Sequence, residues 1–199
     1  MSAVSLHTRG AARQEDEMTE TYMGPEFRPT DYQRGMLEIV GEDDPAAIQA
    51  AASAAWRTIL GEAGDDLAVR PEPGEWSVLE LLGHAVDGEI VAAVRYRADV
   101  AEDRPDIMPF DQDDWVAALH GDGGPESDPD ALLATLAALR AANLGLWAAT
   151  PDDGRRRVGM HRERGPESFG LQFVLIAGHD RFHLDQARRT LETVRAGRG

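Results

Sequence analysis

Three helix-start signals, at Asp44–Pro45, Ser77–Val78–Leu79–Glu80 and Asp128–Pro129, each open a long run of apolar residues at helical spacing. Aspartate before proline supplies an N-cap oxygen and a first-turn residue that needs no hydrogen bond. Serine with glutamate three residues on is a capping box, in which each side chain satisfies a free backbone N–H. The first segment runs from Ala46 to about Glu62, with Ile48, Ala52, Ala55 (or Trp56) and Ile59 on one stripe, and ends at Gly61 and Gly64. The second reaches about Ala101, roughly 37 Å at 1.5 Å per residue, and buries Val78, Leu81, Leu82, Ala85, Ala92 and Tyr96. The third runs to Thr150 with Leu132, Leu133, Leu136, Leu139, Leu144 and Trp147, and Pro151 stops it. A fourth, from about Ser168 to Ala196, repeats Leu171, Val174, Leu175, Gly178, Phe182, Ala187, Leu191 and Val194 at the same period. Four such helices, with no convincing alternating strand, predict an all-α four-helix bundle.

The bundle is expected to span residues 44–196. Residues 1–22 are polar, include Glu15–Asp16–Glu17 and show no apolar period, so a disordered tail is expected there; Met18 offers an alternative start. Residues 23–43 place Pro25, Pro29 and Gly41 around the apolar patch Met36–Val40, which reads as an arm packed on the bundle. Residues 102–126 form a long loop with a short turn at Asp113–His120, and residues 151–167 a polar loop with a brief extended piece at Val158–His161. These connections exceed what an up-down bundle needs. They permit a crossover and leave room for a site at one end.

The charge narrows the partners. Asp and Glu number 36 against 20 Lys and Arg, for a net −16. That repels nucleic acid, and a small-molecule substrate is the expected partner. The basic residues are all arginine, which excludes Schiff-base chemistry and a P-loop lysine. The one dense basic run, Arg155–Arg156–Arg157 with Arg162 and Arg164, reads as a solvated loop before an anion site. The absence of cysteine excludes disulfides, thiolate metal sites and a cysteine nucleophile, and fits a cytoplasmic protein. No run of about 18 apolar residues argues for a membrane span, and Arg9 and Arg13 precede no apolar stretch of the kind a secretory signal needs.

The histidines carry the chemical signal. His179 and His183 stand four apart, so on a helix their rings share a face and can bind one first-row metal. They share a stripe with Leu175, Gln186 and Thr190 at the border of the apolar face. His84 lies two turns into the second segment, and the small Gly83 and Gly88 beside it leave space that an ordinary core would fill. A third imidazole there can meet the other two across a bundle interior. Three neutral imidazoles leave a coordination position open, the catalytic pattern. Asp87 and Asp180 are candidate acceptors for fixing a tautomer, although solvent-facing charge is the plainer expectation for both. His7 falls in the tail, and His120 and His161 read as solvated loop residues, His161 at the edge of a site.

The segment Pro73–Gly74–Glu75–Trp76–Ser77–Val78 followed by Gly83–His84–Ala85–Val86–Asp87 resembles the start of helix 2 in the DinB/YfiT-like superfamily. Ile107–Met108–Pro109–Phe110–Asp111 with Trp115 resembles its loop between helices 2 and 3. His161–Arg162–Glu163–Arg164–Gly165, then Gly178–His179–Asp180–Arg181–Phe182–His183–Leu184–Asp185–Gln186, is similar to its last helix. The resemblance covers about residues 44–196. It implies an up-down-down-up bundle and a divalent metal, nickel, zinc or iron, held by His84, His179 and His183. It further implies a metal-dependent enzyme, either a low-molecular-weight-thiol S-transferase or a hydrolase acting on a small electrophile, and a homodimer in many relatives.

With no cysteine in the chain, any thiol must be a cosubstrate. Asp87, Glu89 and Asp180 are candidate general bases, and Arg162 or Arg181 candidate partners for a carboxylated thiol, with solvated or ion-paired arginine the plainer expectation. The rival reading is a non-catalytic binding or stress-response module whose metal is structural or absent. A partner-binding adaptor using the acidic N-terminal arm is a third.

Overall fold

The computed structural model describes residues 21–24, 27–121 and 124–198, so the expected tail over residues 1–22, His7 included, lies outside the described residues except at its last two positions. Seven described α-helices follow in order: α1 (Asp31–Val40), α2 (Pro45–Ala63), α3 (Val78–Ala101), α4 (Gln112–Trp115), α5 (Pro129–Ala149), α6 (Asp152–Arg155) and α7 (Phe169–Ala196). A single 3-10 turn, Gly64–Asp66, follows α2, and a π-helical turn, Val116–His120, follows α4.

The caps fall where the sequence placed them. The Asp44 carboxylate accepts from Ala46 N, the Asp128 carboxylate from Asp130 N, and Ser77 and Glu80 form both halves of a capping box. Ser168 opens α7 by accepting from Leu171 N. Thr30 and Gln33 make a second capping box at α1.

Four of these helices form the bundle. Residue pairings give their directions. His84 meets His183 while Tyr96 meets Phe169, so α3 and α7 run antiparallel. Gln49 Nε2 donates to Phe173 O near the start of α7 and Arg195 donates to Glu62 O near its end, so α2 and α7 run parallel. Arg140 meets Glu89 while Arg97, further along α3, donates to Asn143 Oδ1, further along α5, which makes α5 parallel to α3. The order is therefore up-down-down-up, as the resemblance implied. Trp56, Ile59, Leu81, Leu82 and Leu136, each 1% exposed or less, fill its centre. A second apolar cluster joins Met36, Leu37 and Val40 of α1 to Leu171, Val174 and Leu175 of α7, so the expected arm is a helix laid along the bundle. The approach is close: a Cβ at Gly178 would stand 2.5 Å from Met36 O.

Helix α5 is long and apolar enough to cross a membrane, with a mean hydropathy of 1.4. About a third of that stretch, 33%, is buried in the bundle. It packs on α2 and α3 and carries, at its middle, the buried Arg140. That guanidinium donates to both Asp180 oxygens at 2.7 and 2.9 Å and meets Glu89 at 2.9 Å.

The extended piece expected at Val158–His161 is a strand, and two further short strands that the sequence reading did not anticipate join it. β1 (Asp106–Ile107) pairs parallel with β2 (Val158–His161), and β2 pairs antiparallel with β3 (Gly165–Ser168). These strands are two to four residues long, too short to show alternation. Gly165 at φ +81° makes the tight reversal between β2 and β3. The arginine run is a solvated loop only at Arg162, which is exposed; its other members have partners. Arg155 lies over the Trp147 ring, Arg156 donates to Thr21 O, Arg157 to Asp99 O, and Arg164 pairs with Glu167.

Candidate metal centre

Helices α3 and α7, crossing antiparallel, bring His84 against His179 and His183. The ring centroids stand 4.9 Å (His84–His179), 4.6 Å (His84–His183) and 4.3 Å (His179–His183) apart. One nitrogen from each ring lies within 4.8 Å of the others. Gly88, one turn after His84, opens the room: a Cβ there would stand 3.3 Å from His179 Cε1. His183 Nδ1 lies 2.9 Å from Gln186 Oε1. An amide oxygen only accepts, so Nδ1 carries the proton and Nε2 keeps its lone pair. His84 Nδ1 is buried and without a partner among the described residues.

Burial holds all three rings neutral. It pulls His84 down to about 3, helped by His183, and His183 to about 4. It pulls His179 far below the usual imidazole range, with His183 and His84 adding to it. Trp76 and Phe110 flank His84 at 5.0 and 6.3 Å between ring centroids, and Phe182 stands on His183 at 5.0 Å.

The rings open on a cavity of about 730 Å³. Its walls come from α1 (Tyr32, Met36), α3 (Val91, Arg95), the loop at Pro109–Phe110, the strand residue His161, and Arg164. A second cleft, of about 580 Å³, shares Gln112, Phe182 and His183 with it and runs on past Gln186 and Thr190.

Several expectations for neighbouring residues are corrected. His120 and His161 are each 2% exposed, not solvated. His120 packs where a Cβ at Gly83 would overlap its ring, so that glycine serves His120 and not His84. Both His120 nitrogens face acceptors, Glu126 O at 2.7 Å and Asp87 Oδ2 at 2.9 Å. Burial alone would lower its pKa, but the bonds to Asp87 and Glu126 outweigh that and raise it. Asp87, His120 and Glu126 also bring ligand-type atoms together, yet a ring donating from both nitrogens has no lone pair for a metal.

Asp87 and Asp180 are buried, at 1% and 2% exposure, so neither faces solvent. Neither touches the three rings: Asp87 serves His120, and Asp180 serves Arg140. Glu89 is held by Arg140 and Asn143. Arg181 donates to Ile39 O and Val40 O and pairs with Asp43, which fastens α1 to α7, and Arg162 is exposed. Sequence reasoning missed Gln186 as the partner of His183, and missed Arg95 as a wall of the cavity. The 3-residue offset of Gln186 from His183 on one helix face was the available signal.

The fold and site together define a four-helix bundle of up-down-down-up order with a three-histidine cluster across two antiparallel helices. The sequence model of the DinB superfamily matches residues 47–187, and the chain belongs to that superfamily. It is 25% identical over 127 residues, 64% of this chain and 72% of the other, to an Oceanobacillus iheyensis protein named "Putative metal-dependent hydrolase OB0782". It is also similar to a solved structure titled "YfiT from Bacillus subtilis is a probable metal-dependent hydrolase with an unusual four-helix bundle topology", with a TM-score of 0.68 and 18% identity, covering 90% of this chain and 98% of that one.

Proposed function

We propose that His84, His179 and His183 hold one divalent metal ion and that the protein is a metal-dependent hydrolase of a small electrophile. The observation that carries this reading is the convergence of three neutral imidazoles within 4.8 Å, with no anion or ammonium among them. Lone pairs brought this close repel unless a cation or a proton lies between them. Nickel, zinc and iron all accept such a donor set. The names of the two relatives support the same chemistry.

A bound divalent ion would supply Lewis acidity, lowering the pKa of a water or thiol beside it and polarising an electrophile. The chain's residues supply the rest. Neutral ligands leave the ion's charge undiminished. Gln186 fixes the His183 tautomer, and Trp76, Phe110 and Phe182 set apolar rings beside the histidines. The Arg140–Asp180–Glu89 network, buried one residue from His179, holds α7 in place against α3 and α5.

Transfer of a low-molecular-weight thiol is the second reading, and two observations favour it. The carboxylates Asp87, Glu89 and Asp180 are all engaged, so none is free as a base for water. The 730 Å³ cavity has room for two small reactants. Two assays separate these readings. Ester hydrolysis of p-nitrophenyl acetate and coupling of a small thiol to 1-chloro-2,4-dinitrobenzene are followed with nickel, zinc or iron, and after chelation. Metal-dependent turnover in the first supports hydrolysis, and in the second alone supports transfer. Turnover in either assay that chelation or His179→Ala leaves unchanged contradicts both.

A further inference from the structure

His84, Gly88, Val91 and Arg95 follow one another at helical spacing along α3, and all four line the 730 Å³ cavity. The stripe starts at the three-histidine end and finishes, three turns or about 16 Å along the helix, at a guanidinium. Arg95 donates from Nη2 to Met108 O at 2.8 Å. Its Nε is shut off from solvent with no partner, and no carboxylate of the described residues lies within ion-pair distance of it. Arg164, on the same wall, is already taken: both its Nε and Nη2 donate to the Glu167 carboxylate, which also accepts from Gln33. His161 adds a donor. Its Nδ1 accepts from Glu163 N and Arg164 N, so its proton sits on Nε2, which is buried and unpartnered. The acids lining the cavity, Asp31 and Glu163, are exposed at its edge. In a chain of net charge −16, this wall carries two guanidiniums and one buried carboxylate.

We infer that the cavity takes a small molecule bearing a carboxylate, which Arg95 binds beside His161 while the reacting end lies at His84, His179 and His183. The carboxylate half stands on Arg95 and His161 alone; the placing of the reacting end rests on the metal-centre reading. Arginine suits the task because its planar fork matches a carboxylate in two hydrogen bonds. Burial, and then the Arg164 charge beside it, lower the Arg95 pKa, so an anion arriving there relieves a desolvated cation.

The test compares hexanoate with hexanamide, equal in shape and different in charge, by calorimetric titration of the full-length protein. Hexanoate is expected to bind at least about ten-fold tighter, with the preference shrinking in high salt. Arg95→Gln is expected to bring the two within about two-fold, and Arg162→Gln, at an exposed site outside the cavity, to leave the preference intact. Because carboxylates also ligate metals, the comparison is repeated in His179→Ala, where the preference is expected to persist. Equal binding of acid and amide by the wild type overturns the inference without any variant having to fold. So does an undiminished preference in folded Arg95→Gln, or its loss in His179→Ala. Failure of the protein to hold a metal would leave the carboxylate preference standing and sink only the metal-centre reading.

Discussion

The Nε2 atoms of His84 and His179, 95 residues apart in sequence, stand 2.9 Å from each other. Gly88 permits that approach: a Cβ there would press on the His179 ring, 3.3 Å from its Cε1. Gly88→Ala therefore separates site from scaffold. Alanine raises helix propensity by about 0.5–1 kcal/mol, so thermal stability of the metal-free protein is expected to hold or rise. Metal affinity, measured by competition with a chromophoric chelator, is expected to fall about ten-fold as the new methyl presses on His179.

Gln186→Ala is expected to weaken metal binding by about 10–100-fold. The amide oxygen that holds the His183 Nδ1 proton is lost, and the ring is free to turn its lone pair away. Far-ultraviolet circular dichroism should be unchanged, since Gln186 is only partly buried and bonds within its own helix.

His120→Ala is expected to cost about 3–5 kcal/mol in urea unfolding, because it strands the buried Asp87 carboxylate. Metal content should be retained, since His120 has no lone pair to give. Loss of metal with stability intact would contradict the assignment of His120 to the scaffold.

Asp99 sets a pH dependence. It is fully buried, and burial pushes its carboxyl up to about 7, against the pull of a 2.6 Å hydrogen bond from Gln172. A carboxyl raised in the folded state favours folding fully below its unfolded value, about 3.9, and that contribution is lost as pH rises through about 7. Asp99→Asn removes the titration. The stability difference, variant minus wild type, should therefore grow between pH 5 and 7, by up to about 1.4 kcal/mol per unit, and then level off. A difference flat over that range would contradict the buried, raised Asp99.

The helices and the clustering of His84, His179 and His183 were legible because most of their signals are local. A cap and its partner lie three residues apart, and His179 and His183 four. His84 was legible through helical register and the small residues around it. His120 and His161 were not, since each is buried by partners that only the tertiary fold supplies: Asp87 is 33 residues from His120, and the β1 strand that flanks His161 is over 50 residues away. Gly83 was the one readable trace of His120, a glycine inside a strong helix with no turn to explain it. Arg95 gave no trace at all, because its distinction is the carboxylate it lacks, and a missing partner has no sequence pattern.

The most direct measurement is the metal content of protein purified without chelator, by elemental analysis, beside the same measurement on His179→Ala. The account predicts close to one divalent ion per chain in the wild type, almost none in the variant, and a melting temperature that rises on adding nickel, zinc or iron to the wild type only. Wild-type protein that carries no metal, and whose melting temperature ignores all three ions, would contradict it.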